Sequence, residues 1–360
     1  MTHQFLKRIL GLFGSKHPSL QHQTLEESTN ELDKNLSAEE ANEHAYRCYE
    51  DGDFKEAFKY FKLAADQGCS QSQFYLGLMY NLGKGVNQDY ERSRHYYGLA
   101  VDQGYHAAQI NLGVVFFEGD GVPQDYEQAF KYFKLSADQG HADALYNLGF
   151  MYQNGLGVPQ DSNEAKRYFK LASDQGYAAA QNNIGVMYRD GKIVKRDYKK
   201  AYKYFKLAAD QGYAQAQFNL GLMYAAGEGV VQDLMEAFKY YKLAAAQNYA
   251  TAYHNLGWMF DNGRGVVPNN MEAFRYYSLA SNLGFALSQF NVGVMYYNGR
   301  GVKQDYQEAL KYYILASDQG YGGASYNLGL MYHDGLGVPL DLKEAERYFK
   351  LAADQGYTGK

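Results

Sequence analysis

Glycine recurs at a fixed interval of 36 residues through most of this chain. One series with that step consists of Gly68, Gly104, Gly140, Gly176, Gly212, Gly284, Gly320 and Gly356. At the single missing step stands Asn248, and asparagine is the other residue that tolerates the left-handed backbone of a helix C-cap. A constant period over residues 69–356 indicates eight copies of one supersecondary unit that stack on each other, and it argues against independent globular domains.

The first half of each unit has the pattern of an amphipathic helix, which we call helix A. In the copy at 213–224, Ala216, Leu220 and Met223 recur at helical spacing and predict one apolar face. A second glycine series lies inside these helices, where a missing side chain would let a neighbouring helix approach closely. Its members are Gly77, Gly113, Gly149, Gly185, Gly221, Gly257, Gly293 and Gly329.

The second half of each unit predicts another helix, helix B, after a glycine-rich turn. Asp233 stands three residues before Glu236, which is the spacing of a capping box with Asp in the place of Ser. Beyond it, Ala237, Tyr241 and Ala244 again share one face. A single helical hairpin cannot bury both apolar faces, so each hairpin is expected to stack on the next.

These residues resemble a known family. The pattern A-x-x-x-L-G-x-x-Y-x-x-G-x-G-V-x-x-D-x-x-x-A-x-x-Y/F-x-x-A, present here at 216–244, is similar to the Sel-one-like repeat, a relative of the tetratricopeptide repeat. The stretch 37–68 resembles a shorter, tetratricopeptide-like hairpin that lacks the G-x-G-V insertion. The resemblance implies a right-handed α-solenoid of nine helical hairpins. It also implies a non-enzymatic adaptor that holds protein partners in a concave groove, in signalling, quality control or interaction with host cells.

The predicted organisation has four parts. Residues 1–36 hold an amphipathic stretch at 4–13 and a polar linker, 37–68 form the short hairpin, 69–356 form the eight repeats, and 357–360 are a tail. The stretch at 4–13 would either lie weakly on a membrane surface or cover the first hairpin. A formal charge of −5 gives no general reason to expect nucleic acid as a partner.

Catalysis and cofactor binding find little support in the sequence. The chain lacks the common hydrolase, metalloprotease and nucleotide-binding motifs, and we predict no cofactor and no metal site. Two cysteines and no secretory signal favour the cytoplasm, with export by a dedicated secretion system as the alternative. An enzyme or small-molecule binder with a site on the groove is the alternative function.

The seventh place after each terminal glycine predicts one set of partner contacts. Because the core positions of helix A face helix B, the sixth, seventh, tenth and thirteenth places are expected to face the groove. An amide can both donate and accept a hydrogen bond, so a series of them could hold the backbone of an extended peptide. The alternative is that each amide bonds within its own or the next hairpin. The seventh place holds Asn111, Asn147, Asn183, Asn219, Asn255, Asn291 and Asn327.

The sixth and tenth places predict a second, more variable set. Rigid aromatic side chains dominate the energy of many interfaces, although these rings could equally fill space between consecutive A helices. Trp258, the single tryptophan, with His254 one turn before it, is the pair most expected to bind a partner. The full aromatic set is Tyr146, Phe150, Phe218, His254, Trp258, Phe290 and Tyr326.

Two further features predict contacts outside the groove. A basic cluster in one hairpin and its loop could bind an acidic partner segment or phosphate, or could be a solvated face. At the far end, the apolar Tyr348, Phe349 and Leu351 predict weak self-association through the last hairpin. The basic cluster comprises Arg189, Lys192, Lys195, Arg196, Lys199 and Lys200.

Overall fold

The computed structural model describes residues 36–358, and these residues form eighteen α-helices with no β-strand. The helices pair into nine hairpins, each with a helix A followed by a helix B. In chain order they are α1 Ala38–Glu50, α2 Phe54–Asp66, α3 Ser70–Leu82, α4 Tyr90–Asp102, α5 His106–Glu118, α6 Tyr126–Asp138, α7 Ala142–Asn154, α8 Ser162–Asp174, α9 Ala178–Asp190, α10 Tyr198–Asp210, α11 Ala214–Ala226, α12 Leu234–Ala245, α13 Ala250–Asn262, α14 Asn270–Asn282, α15 Ala286–Asn298, α16 Tyr306–Asp318, α17 Gly322–Asp334 and α18 Leu342–Asp354.

The all-α prediction of nine hairpins is confirmed by these helices. The hairpins fall into two compact blocks, which we call the N-terminal block, ending at Tyr177, and the C-terminal block, beginning at Ala178. The described part of the N-terminal block contains α1–α8, and that of the C-terminal block contains α9–α18. The membrane-binding stretch predicted at 4–13 lies outside the described residues.

The turn between helix A and helix B follows from local chemistry. In the hairpin α11/α12, Gly227 ends helix A with a φ of 74° and donates its N–H to the Met223 carbonyl. Asp233 then begins helix B, because its carboxylate accepts from the backbone N–H groups of Met235 and Glu236. In a complete capping box the Glu236 side chain would also accept from the Asp233 N–H, and this part of the prediction is wrong. The Asp233 N–H donates instead to the Tyr224 carbonyl, and Glu236 pairs with Lys239.

The turn between one hairpin and the next depends on a left-handed residue. Gly212 has a φ of 85°, and at the exceptional step Asn248 has a φ of 58°. Asn248 is the one non-glycine residue with positive φ among those described, which confirms that asparagine takes over the glycine geometry there.

The glycine inside helix A brings helix B close. A Cβ placed on Gly113 would lie 2.6 Å from Phe133 Cε1 of the same hairpin, and one on Gly221 would lie 2.5 Å from Tyr241 Cδ1. The ring therefore fills the space that a side chain would occupy. Phe133 and Tyr241 are almost completely buried as a result.

Glutamines also connect the two helices within a hairpin, from the end of helix B back to helix A. Gln139 Nε2 at the end of α6 donates to Gln109 Oε1 on α5 at 2.9 Å, and Gln247 Nε2 donates to Gln217 Oε1 at 2.9 Å. Gln109 and Gln217 are buried, so each bond satisfies a polar group in the interior. These bonds join residues 30 apart in sequence, so no short-range motif indicated them.

Candidate protein-interaction surface

The sixth-place rings lie mainly between hairpins and not on an open face. Phe218 is 9% exposed, and its ring contacts Tyr241 at 5.6 Å and Tyr249 at 5.2 Å between centroids. Tyr249 is the residue that begins the next helix A. The same packing recurs at half-buried Tyr146, Phe290 and Tyr326, whose rings contact helix B and the start of the following hairpin or tail.

His254 is buried and held by its neighbours. Its Nδ1 lies 2.9 Å from Ser288 Oγ on α15, and its ring packs against Tyr277 and Phe285. Burial lowers the pKa of His254 to about 4, so the imidazole is neutral near pH 7. Because the side chain is only 8% exposed, His254 supports the local packing and is not placed for direct contact with a partner.

Trp258, one turn along the same helix, is exposed. Its side chain keeps 46% of its surface accessible, and the guanidinium carbon of Arg264 lies 6.0 Å from the ring centroid. Asp261 on the same helix accepts from Arg300 of the next hairpin, which ties the two hairpins together beside the tryptophan. The structure therefore separates Trp258 from His254, which the sequence had grouped.

The asparagine series is partly built into the array. Asn111 Nδ2 donates to the Tyr97 hydroxyl at 3.3 Å. Asn255 and Asn327 stand at the same place, opposite Tyr241 and Tyr313, and each amide opposes the rise that burial causes in the pKa of its tyrosine. In each pair the tyrosine lies on helix B of the preceding hairpin, so these amides lie between hairpins. Asn147, Asn183 and Asn219 stand 14 residues after a Phe of the preceding helix B instead of a Tyr, and their burial differs: Asn147 and Asn219 are buried, whereas Asn183 is half-buried. Asn291, which stands opposite Tyr277, is also half-buried.

Asn219 belongs to a buried polar cluster in the C-terminal block. Its Nδ2 donates to Asn182 Oδ1 at 2.8 Å, and its Oδ1 accepts from Arg189 Nη1 at 3.0 Å. Arg189 Nε also donates to Asp190 at 2.9 Å. Arg189 is thus occupied inside the array and is separate from the exposed basic cluster to which the sequence assigned it.

We expect Asn219→Ala to lower the free energy of unfolding by about 2 kcal/mol. The substitution leaves Asn182 Oδ1 buried without its donor and removes one acceptor from Arg189. Urea unfolding followed by circular dichroism measures the change. Asn291→Ala, at the same place two hairpins later but half-buried, is the control and should cost less than about 1 kcal/mol. Equal losses of unfolding free energy for the two variants would show that the buried cluster around Asn219 adds no more stability than the half-buried Asn291 does.

The other five residues of the basic cluster are exposed at one end of their hairpin: Lys192, Lys195, Arg196, Lys199 and Lys200. Lys200 pairs with Asp197 at 3.4 Å, and Arg196 lies over the Tyr198 ring. In this loop Ile193 replaces the usual glycine and does not adopt a positive φ. The cluster remains a predicted binding feature.

The apolar residues at the end of the last hairpin pack partly against each other. Phe349 packs on Tyr326 at 5.4 Å between ring centroids, and Tyr357 packs on Tyr326 at 4.9 Å. Tyr348 and Leu351 are half-buried. A cleft remains between these rings, lined by Tyr326, Phe349, Ala352, Ala353 and Tyr357. Self-association through this end stays a prediction.

Comparison with known proteins adds the family. The family model of the Sel1 repeat matches nine consecutive segments: 41–69, 70–105, 106–141, 142–177, 178–213, 214–249, 250–285, 286–321 and 323–357. The chain belongs to the Sel1 repeat family. Members of this family generally mediate protein–protein interaction, and the Sel1 repeat fold is typically a non-enzymatic scaffold.

Two solved structures are similar to this Sel1 repeat protein along most of its length. A protective antigen present in uropathogenic Escherichia coli strains shares 30% identity with a TM-score of 0.71, over 89% of this chain and 70% of the antigen. A Sel1 repeat protein from Oxalobacter formigenes shares 29% identity with a TM-score of 0.61, over 98% of this chain and 96% of its own. No curated protein matches.

Two further observations on this Sel1 repeat protein concern metal binding and membrane crossing. Between residues 36 and 358, no three His, Cys, Asp or Glu side chains come together in a way that could hold a metal ion. In the same range no helix has the length and apolar character that crossing a bilayer requires.

Proposed function

We propose that this Sel1 repeat protein is a scaffold that binds a protein or an extended peptide on the face around Trp258. The observation that carries the proposal is the exposure of Trp258, 46%, on a helix whose other large side chains are packed between hairpins. In the adjoining hairpins the same place holds the aliphatic Leu222 and Val294, both half-buried. A large, exposed and well-supported tryptophan is the side chain most enriched at interface hot spots.

The surroundings of Trp258 fit an anchor of this kind. Arg264 stacks near the ring, and the Asp261–Arg300 pair holds the adjacent hairpin in place. A partner side chain could therefore pack on a ring that loses little freedom on binding, while Arg264 offers hydrogen-bond donors at its edge. Half-buried Tyr297 and Asn291 on α15 extend the same face.

The proposal is tested with the full-length chain as bait. We expect Trp258→Ala to weaken binding of captured partners by about 2 kcal/mol, roughly 30-fold, with unchanged helix content. Leu243→Ala is the matched control, because Leu243 is a 44% exposed apolar residue on helix α12. Affinities measured with purified partner decide the matter. Unchanged binding by Trp258→Ala, or an equal loss with Leu243→Ala, contradicts the assignment.

We also propose a cytoplasmic location. Cys48 and Cys69 are both free thiols, which suits a reducing compartment. Fractionation of cells that express the untagged chain tests it, and recovery from the medium or the cell surface would contradict it.

A further inference from the structure

Among the described residues, no carboxylate pairs with Arg264, although the equivalent arginine of the next hairpin has such a partner. Arg300 pairs with Asp261, which stands 39 residues earlier on helix A of the preceding hairpin. Arg264 holds the same place in its own loop, and the residue 39 positions before it is Ala225. The sequence therefore places a methyl group where the repeat provides Arg300 with a carboxylate.

Ala225 and Arg264 are the exception among the pairs at this spacing in the C-terminal block. Four such pairs join the end of a helix A to the turn after helix A of the next hairpin. Two of the other three combine opposite charges, and the third combines an aromatic with an aliphatic side chain. The missing carboxylate is therefore particular to this place and is not a property of the repeat. In the structure, Asp190 is the ion-pair partner of Arg189. The three other pairs are Arg189 with Glu228, Asp261 with Arg300, and Tyr297 with Leu336.

The guanidinium of Arg264 lies beside the side chain that we propose as the anchor. Its carbon is 6.0 Å from the centroid of the Trp258 ring, and both side chains are exposed. On the preceding helix A, α11, Leu222 and Ala225 are half-buried. An apolar ring and a charged fork of N–H donors are thus presented side by side to solvent.

We propose that the segment bound at Trp258 carries an aspartate or glutamate that pairs with Arg264, next to a large apolar residue that packs on the ring. This inference rests on the function proposed above, because it names the chemistry of the partner at that same face. The partner carboxylate would take the place relative to Arg264 that Asp261 takes relative to Arg300. Its two oxygens match the planar guanidinium, which favours a bidentate pair.

A carboxylate fits this place better than a phosphate group does. Arg264 offers one positive charge, and the next arginine along the array, Arg300, is already neutralised by Asp261. A phosphorylated side chain carries a charge of about −1.5 to −2 near pH 7, so part of that charge would remain uncompensated beside Asp261. A carboxylate brings a single negative charge, which one guanidinium balances.

A random peptide library displayed on phage, with the full-length chain as bait, tests this inference. Peptides are kept when Trp258→Ala weakens their binding, so that every peptide measured uses the proposed anchor. Among them we expect an aspartate or glutamate at a constant distance from a large apolar residue. Synthetic peptides in which the matching amide replaces the acid should bind about tenfold more weakly, because the charge-assisted hydrogen bonds are lost.

Variants at Arg264 assign the preference to that side chain. Arg264→Gln should bind the acidic peptides and their amide versions with equal affinity, because no charge remains to distinguish them. Arg264→Glu should prefer peptides in which lysine replaces the acid. Arg264→Lys keeps the charge but not the planar fork, so only part of the preference for the acid should remain.

Variants of two neighbouring alanines test where the carboxylate binds. Ala225→Asp should weaken binding of the acidic peptides about tenfold, because the new side chain can pair with Arg264 as Asp261 pairs with Arg300. The amide versions should bind Ala225→Asp and the parent equally, which checks that the variant is folded. Ala226→Asp is the matched control, since it adds the same charge at the next, exposed position, and it should change the affinity less than about twofold.

Four outcomes would overturn the inference. The Trp258-dependent peptides could lack an enriched acid. The acidic peptides could bind Arg264→Gln as tightly as the parent. Ala225→Asp and Ala226→Asp could weaken binding equally. Phosphoserine in place of the acid could raise the affinity about tenfold, which would make this a phosphate site. A selection without any Trp258-dependent peptide would instead contradict the function proposed above, and the inference would fall with it.

Discussion

Gly113→Ala should destabilise the protein, whereas the same substitution at Gly98 should stabilise it. The new methyl group at Gly113 would meet the ring of Phe133 at 2.6 Å, a contact that the buried ring cannot relieve without moving helix α6. Overpacking of this kind costs about 3 kcal/mol. Gly98 lies inside α4 with nothing within 4 Å of its added Cβ, so alanine there should add about 0.5–1 kcal/mol through helix propensity.

Thermal and urea unfolding of the two variants measures these opposite effects. Both glycines lie in the N-terminal block, in consecutive hairpins, so differences between the blocks do not enter the comparison. Repeat arrays need not unfold in one step, and the midpoint of the earliest transition is therefore compared. Shifts of the same sign for Gly113→Ala and Gly98→Ala would reject close helix approach as the reason for the glycine series.

Stability should fall between pH 6.5 and pH 4 because of His254. Its pKa in the folded state is about 4, below the ordinary value of 6.5 that applies when the chain unfolds. Between those values the unfolded state binds a proton that the folded state does not, so stability increases with pH in this range. The contribution is complete above pH 6.5, and a difference of this size removes about 3 kcal/mol as the pH falls to 4.

His254→Phe isolates this effect, because phenylalanine stands at the same place in the neighbouring hairpins, as Phe218 and Phe290. Losing the bond to Ser288 costs the variant the same at every pH. Urea unfolding of parent and variant at pH 7.5 and pH 4.5 gives the pH-dependent difference. An unchanged difference would show that His254 keeps its ordinary pKa and is not buried as neutral imidazole.

The local structure of each hairpin was predictable from sequence. The glycine period, the substitution at Asn248 and the Asp caps of helix B are set by backbone conformation and by bonds between residues a few positions apart. The glycine inside helix A likewise indicated close packing. The same local rules predicted a capping box that failed at Asp233, where the N–H donates to a residue nine positions earlier.

The sequence by itself determined the repeat, the helices and the turns, since short-range chemistry fixes them. The surface was decided by the tertiary structure. Trp258 and His254 lie four residues apart on one helix, yet one is 46% exposed and the other is tied to Ser288. Helix A packs against its own helix B, the preceding helix B and parts of the next hairpin. Helical periodicity therefore predicts which residues share a face of a helix. Whether a residue on that face is buried or exposed depends on contacts with residues 14 to 37 positions away.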